Sequence, residues 1–408
     1  MNLPETDSED ELPPGWEERV TADGSVFYAN HLTKGTQWTH PRTGKKKIVS
    51  GELPFGWERC IDKNTGKIIY VDHENRRTTY TDPRLAFAVE EKEHVNDFRQ
   101  RFDASSTALQ VLHGRDLTGK VALVTGANTG IGFETARSLA KHGCSVIFAC
   151  RNINAAQAAI DKIKEEKLSV GEVCEAIYVD LSSLKSVVEF SNIVKSKYKK
   201  LDMLILNAGV FGLSYSKTVD GYETTFQVNH LSHFHLTMLL HPLLTDGSRV
   251  VIVSSESHRF SNLSIDTLIP SVLSPDSANK YWDMVAYNNS KLCNVLFARL
   301  LAKNWQSEGI LVSSLHPGNM VSTSLSRNWW LYRLFFALVR PFTKSLQQAA
   351  STTVYCATAL ELAGVTGVYF NNCCRCQESE SAQSDELAKA LWDVSEEMIK
   401  NVLDPVFI

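Results

Sequence analysis

Tyr287 and Lys291 stand four residues apart in Tyr287-Asn288-Asn289-Ser290-Lys291, so on a helix a phenol and an ammonium share one face. A free phenol titrates at about pH 10 and is a reluctant base at neutral pH; a neighbouring ammonium favours the phenolate, and together the two can move a proton between a carbonyl and its alcohol. A second landmark is glycine-rich. Thr125-Gly126-Ala127-Asn128-Thr129-Gly130-Ile131-Gly132 follows an apolar run at 120–125 and leads into an amphipathic stretch ending near His142. Glycines in that place let the backbone turn tightly against a pyrophosphate, whose charge then meets a helix N-terminus. Cys373-Cys374-Arg375-Cys376 offers thiols without metal spacing: adjacent cysteines do not readily close one tetrahedral site, and no histidine follows at finger distance, so no metal is expected. His230, His233 and His235 are expected to be packed or exposed histidines, not members of a triad.

These groups need a scaffold, and the apolar runs supply one. After 120–125 come 145–149, 177–180, 203–206 and 250–253, with helical periods between them, which predicts a parallel sheet covered on both faces. The second run ends in Cys150-Arg151-Asn152, with no carboxylate where an NAD-preferring site presents one to the ribose. The Arg151 guanidinium could instead fork onto a 2′-phosphate, so NADP(H) is expected over NAD(H).

The N-terminal part is built differently. Leu12-Pro13-Pro14-Gly15-Trp16 returns as Leu53-Pro54-Phe55-Gly56-Trp57, 41 residues later, and the likeness continues through Phe27-Tyr28-Ala29-Asn30-His31 and Ile69-Tyr70-Val71-Asp72-His73 to Pro41 and Pro83. Each copy is expected to form a three-stranded antiparallel meander, with turns at Asp23-Gly24, Asn64-Thr65-Gly66, Thr33-Lys34-Gly35 and Asn75-Arg76-Arg77. Alternation puts Phe27, Ala29 and His31 on one face of the first copy and Tyr28 and Asn30 on the other.

Both copies resemble WW domains, through the opening Leu-Pro-x-Gly-Trp, the aromatic strand with its histidine and the closing proline. The resemblance implies that Trp16, Tyr28 and Pro41 buckle the first copy, while Phe27, His31, Thr36 and Trp38 form a groove for proline-rich partners of the Pro-Pro-x-Tyr class. The second copy carries Ile69 and Tyr80 where the first has Phe27 and Trp38, so a supporting role is expected of it.

The remainder resembles the short-chain dehydrogenase/reductase family. The spacing Thr-Gly-x-x-x-Gly-x-Gly, Asn207-Ala208-Gly209, Ser254-Ser255 at a strand end, Tyr287-x-x-x-Lys291 and His316-Pro317-Gly318 occur in that family's order. The resemblance implies that Tyr287 is the acid/base, Lys291 lowers its pKa and holds the nicotinamide ribose, Ser255 positions the carbonyl oxygen, and Asn229 supports Lys291 through a water. Ser254 is the alternative to Ser255. Thr125, Gly126, Asn128, Thr129, Gly130, Ile131, Gly132, Arg151, Asp180, Asn207, Ala208, Gly209, Tyr287, Lys291, Pro317 and Gly318 are expected around the cofactor, with Asp180 on adenine. Ala149-Cys150-Arg151-Asn152 and Ser254-Ser255-x-x-His258 resemble retinol-dehydrogenase-like members and point to an apolar retinoid or steroid, as does the aromatic run 329–336.

Composition agrees with such a chain. Of 408 residues 43% are hydrophobic, enough for a sizeable core, and the net charge of −4 removes the overall basicity of a nucleic-acid binder. No apolar run reaches the ~18 residues of a membrane span, and the first residues lack a signal peptide, so a cytoplasmic protein is expected, with Lys45-Lys46-Lys47 a weak nuclear signal. The organisation expected is an acidic N-terminus at 1–11, WW domains at 12–43 and 53–84 joined by a basic linker at 44–52, a second linker at 85–116, an α/β Rossmann-type doubly wound parallel sheet at 117–376 and a C-terminal tail at 377–408 that is polar at first and then weakly helical through Leu387 to Val402. Two functions compete: an NADP(H)-dependent oxidoreductase delivered to partners by its first WW domain, and an adaptor whose reductase fold senses cofactor. Oligomeric state stays open, a homodimer through the reductase helices being one arrangement.

Overall fold

The computed structural model describes residues 11–403 apart from 22, 50–51, 64, 74, 93, 96, 98–99, 167–173 and 319–343. Two compact units divide the chain, Met1–Arg99 with His113–Leu117 and Gln100–Leu112 with Thr118–Ile408.

The first unit holds the repeat. Strands β1 (Trp16–Val20), β2 (Val26–Asn30) and β3 (Thr36–Gln37) form an antiparallel meander in which Trp16 faces Asn30. Val26 and Tyr28 are buried, whereas Trp38, on the other face, is 56% exposed. Tyr28 is sealed by an edge contact with the buried His40, and its hydroxyl donates to Glu18 Oε1 at 3.0 Å. Residues 44–52 contain β4 (Lys47–Ile48), and the second copy follows as β5 (Trp57–Ile61), β6 (Ile68–Asp72) and β7 (Arg77–Thr79). Tyr70 is its buried aromatic, donating to Asp82 at 2.7 Å, and Asp82 in turn pairs with Arg84.

The expected linkers differ from this picture. β4 pairs antiparallel with β8 (Val89–Glu90), and Val49 and Ala88 join Val26 and Tyr28 in one apolar cluster, with Leu85 packed against it. Lys45 and Lys47 accordingly meet Glu90 and Glu18, so the lysine run is not a purely solvated tether. The reason is size: a meander of this length cannot cover Tyr28 alone and borrows apolar side chains from the segments that leave both copies.

The second unit is a sheet of eight strands in the order β11-β10-β9-β12-β13-β14-β15-β16. Its members are β9 (Val121–Thr125), β10 (Ser145–Cys150), β11 (Cys174–Tyr178), β12 (Met203–Leu206), β13 (Arg249–Val253), β14 (Leu311–His316), β15 (Val368–Asn371) and β16 (Cys374–Cys376). All neighbours are parallel except β15 and β16, a hairpin at one edge. The order reverses beside β9, which opens a crevice at the carboxyl ends of β9 and β12.

Helices α1 (Gly130–Ala140), α2 (Ile153–Glu165), α3 (Leu184–Lys197), α4 (Ser232–Leu240), α5 (Asp283–Asn304), α6 (Leu346–Thr358) and α7 (Asp385–Lys400) accompany the sheet. Serine or asparagine caps start several of them: Asn152, Ser183 and Ser384 each accept from a backbone N–H in the following turn. The expected C-terminal helix forms, as α7, and packs within this unit. Leu387, Leu391, Met398 and Ile399 of α7 are buried, and Tyr222 donates its hydroxyl to the Met398 carbonyl. The 85–116 linker also ends in structure, since Phe102 packs edge-on against Tyr355 and Thr107 with Gln110 forms a capping box over Ala108–Val111. Among the described residues all nine cysteines are free, and no helix is long and apolar enough to cross a membrane.

Candidate active site

The glycine turn between β9 and α1 sets the floor of the site. Gly126 and Gly130 adopt φ of +68° and +61°, a conformation that L side chains rarely take. A Cβ on Gly132 would collide with Asn207 Nδ2 and the Gly126 carbonyl, so that glycine lets α1 close onto the strand ends. Thr125 Oγ1 accepts from the backbone N–H groups of Asn207 and Ala208, each at 2.9 Å, and Asn207 Nδ2 donates back to the Thr125 carbonyl at 2.9 Å. Thr125 is therefore buried and structural, fixing the two turns that face the crevice.

At the start of α1 the Thr129 side chain makes no cap hydrogen bond, which leaves first-turn N–H groups for an anion. A cavity of about 400 Å³ opens there, lined by Gly126, Asn128, Thr129, Gly130, Ile131 and Gly132. Arg151 and Asn152 line it beyond the end of β10, and Asn207, Ala208 and Gly209 beyond β12. The Arg151 side chain is exposed, and among the described residues no carboxylate lines the cavity beside it. An elongated, doubly anionic dinucleotide fits this set of donors.

The cavity continues to Tyr287, Lys291 and Pro317. Lys291 is 4% exposed, and its ammonium donates to the Val253 carbonyl at 3.1 Å. Ser254 spends its hydroxyl on the Lys291 carbonyl at 2.7 Å, locking α5 to the end of β13. Ser255, the next residue, accepts from the Ser257 N–H at 3.2 Å and stands near enough to Tyr287 to act on its phenol. Burial pushes the Tyr287 phenol up to about 12, against which the Ser255 hydroxyl pulls it down, and burial lowers Lys291 to about 8. In the chain by itself burial sets the direction of the phenol's shift. The Lys291 ammonium lies 5.5 Å from the Tyr287 ring centroid.

Asn229 sits in a π-helical turn, Gln227–Leu231, just before α4. Its side-chain amide grips the backbone of Val210 from both sides: Oδ1 accepts from the N–H at 2.8 Å and Nδ2 donates to the carbonyl at 3.0 Å. Nδ2 also donates to Ser290 Oγ at 3.0 Å, and the Asn229 carbonyl accepts from His233 Nδ1 at 3.1 Å. Asn229 therefore ties the loop after β12 to α5.

That loop carries residues sequence reasoning missed. Phe211 meets the Tyr287 ring edge-on at 4.8 Å, and Leu213 lines the same cavity, its carbonyl held by the Tyr281 hydroxyl at 3.0 Å. The apolar run Val210-Phe211 directly after Asn-Ala-Gly was the available signal. Other expected residues stand apart. Asp180 lies outside the cavity lining and turns its Oδ1 onto Ser182, accepting from N–H at 2.9 Å and Oγ at 2.7 Å, as in an Asx turn. Gly318 packs on Lys344, and the aromatic run 329–336 falls outside the described residues.

On the first meander Phe27 and Trp38 form an edge-on aromatic pair with centroids 6.0 Å apart, and His31 Nε2 lies 2.8 Å from Glu17 Oε2. Thr36 begins β3 on the exposed side. The second copy offers no such pair: Tyr80 bends its hydroxyl onto Asp62 at 2.9 Å, opposite an aliphatic Ile69.

Comparison with known proteins follows the same division. A family profile described as short chain dehydrogenase matches residues 120–264, and the WW domain profile matches 12–41 and 53–83. The chain is 58% identical over 403 residues to a WW domain-containing oxidoreductase of Drosophila melanogaster, covering 98% of both chains. It is 54% identical to the Homo sapiens protein of that description over 98% of this chain and 97% of the other. Retinol dehydrogenase 12 of Mus musculus is 40% identical over 69% of this chain and 87% of its own. Among solved structures, an uncharacterized protein from Mycobacterium paratuberculosis matches with a TM-score of 0.56 at 28% identity, over 73% of this chain and 97% of that one.

Proposed function

The chain belongs to the WW domain-containing oxidoreductases, within the short-chain dehydrogenase/reductase family, and from that premise we propose that it interconverts an apolar carbonyl compound and its alcohol with NADP(H). The observation that carries this reading is the convergence of Tyr287, Lys291 and Phe211 on one cavity with the glycine turn and Arg151. The dinucleotide, when bound, supplies or takes up the hydride. Tyr287 donates the proton to the carbonyl oxygen, and its raised pKa keeps the phenol protonated at neutral pH, ready for the reductive direction. Ser255 orients that oxygen and Lys291 holds the ribose. Phe211 and Leu213 give the substrate an apolar wall, which favours retinoid or steroid carbonyls, in line with the likeness to a retinol dehydrogenase. The absence of a carboxylate beside Arg151 supports NADP(H) over NAD(H).

The WW domains bring proline-containing partners, and the exposed pair Phe27–Trp38 supports the Pro-Pro-x-Tyr class for the first of them. We read the location as cytoplasmic. The test is NADPH oxidation by the full chain against retinals and ketosteroids, with Tyr287→Phe as the blank. Turnover lost about 10³-fold in that variant, with NADPH affinity intact, is the expected result. Cofactor binding without turnover, together with peptide binding abolished by Trp38→Ala, would instead favour the adaptor.

A further inference from the structure

His258 follows Ser255 in a single 3-10 turn, Glu256–Phe260, and is 1% exposed. Both its ring nitrogens are committed. Nδ1 lies 2.7 Å from the Ser255 carbonyl, which can only accept, so Nδ1 carries the proton. Nε2 lies 3.1 Å from the backbone N–H of Ser379, which can only donate, so Nε2 presents its lone pair. One neutral tautomer satisfies both partners, and burial, by lowering the imidazole pKa, acts in the same direction.

The surroundings hold the ring in place. Tyr369 packs on it with centroids 5.1 Å apart and donates its hydroxyl to Glu256 Oε1 at 2.8 Å. Arg259 bridges Glu256 Oε2 and the Gln377 carbonyl. Arg299, on the helix that bears Tyr287, reaches Glu378 at 3.3 Å and Asp385 at 2.6 Å. The segment 377–385 therefore grips the turn after Ser255 on one side and α5 on the other.

We propose that His258 is a positioning residue: by clamping the Ser255 carbonyl to the Ser379 N–H it sets the Ser255 hydroxyl against Tyr287, making the segment 377–379 part of the site's support. The proposal rests on the reading of Ser255 and Tyr287 given above. A histidine that only filled space would leave the phenol indifferent to its loss.

The experiment uses the full chain labelled with 13Cζ-tyrosine, the Tyr287 resonance being assigned through Tyr287→Phe. Ser255→Ala and His258→Leu are expected to move that resonance to the same position, and the double variant no further. His258→Asn, which keeps a donor for the Ser255 carbonyl, is expected to leave it at the wild-type position. If Ser255→Ala moves the resonance and His258→Leu does not, or if the two shifts add, the clamp is overturned while the catalytic reading stands. If Ser255→Ala has no effect, the Ser255–Tyr287 reading fails and the clamp fails with it. Should His258→Leu not fold, long-range 15N correlations on the wild-type chain decide: a neutral Nδ1–H tautomer between pH 6 and 8 is expected, and an Nε2–H tautomer or imidazolium overturns the proposal.

Discussion

Arg151 stands at the end of β10 with its guanidinium exposed on the cavity wall, where a carboxylate would oppose a 2′-phosphate and a cation attracts one. A charge-assisted hydrogen bond of this kind is worth about 1.5–3 kcal/mol, so Arg151→Ser is expected to reduce the NADPH-over-NADH ratio of kcat/KM by roughly 10–100-fold, read directly from initial rates with each coenzyme. Arg151, Tyr287 and Lys291 were legible in the sequence because each sits at a fixed offset from a local landmark. Phe211 and the grip of Asn229 on Val210 were not. Their partners lie tens of residues away, and only the packed fold specifies which loop meets which helix. Burial was not legible for a related reason: residue spacing shows that Lys291 neighbours Tyr287, but only the packed fold shows that both groups are desolvated.

At the scale of elements, the π turn and α4 concentrate buried imidazoles. Burial holds His230 at about 3 and His233 and His235 at about 4, against 6.5 when solvated. The unfolded chain therefore binds more protons between those values, so stability rises with pH; it is complete above about 6.5 and is lost as the pH falls towards 4. Moving from pH 7.5 to 5.5 is expected to cost about 4 kcal/mol for the three together, measured by urea unfolding, with His235→Gln removing about a third of that difference. Glu166, held at about 2 chiefly by hydrogen bonding from Arg137, loses its contribution only as the pH drops below about 4.5 and leaves this window untouched. The central strands were legible as apolar runs, since strands buried on both faces admit little else. Helix α7 was legible as a weak helical period through Leu387 to Val402, but its packing was not, because its exposed face is strongly polar and only Leu387, Leu391 and Met398 form the buried stripe.

At the scale of the whole molecule, the first WW domain does not end at its own last strand. Leu85 and Ala88, downstream of the second copy, pack on the cluster that buries Tyr28. Leu85→Ala is expected to lower the unfolding free energy of the tandem by about 1–2 kcal/mol, below the full core range because Leu85 is only partly covered, and to weaken peptide binding at Trp38 without touching the groove. Thermal unfolding of residues 11–92 monitored by tryptophan fluorescence checks the first effect and peptide titration the second. This dependence escaped the sequence because the two-residue strands β4 and β8 are too short to show any period.

Helix α7 has a further consequence in time. Tyr222 and His230 wait for the Met398 carbonyl and the Ser395 hydroxyl, which a ribosome releases some 170 residues later than either of them. A nascent chain can assemble the glycine turn and the parallel strands early, yet it keeps an open apolar seam along α4 and α5 until α7 has emerged. A message cut short near codon 380 would encode every side chain lining the described cavity and still yield a polypeptide without the α7 side chains that pack on that seam, open to chaperones and proteases.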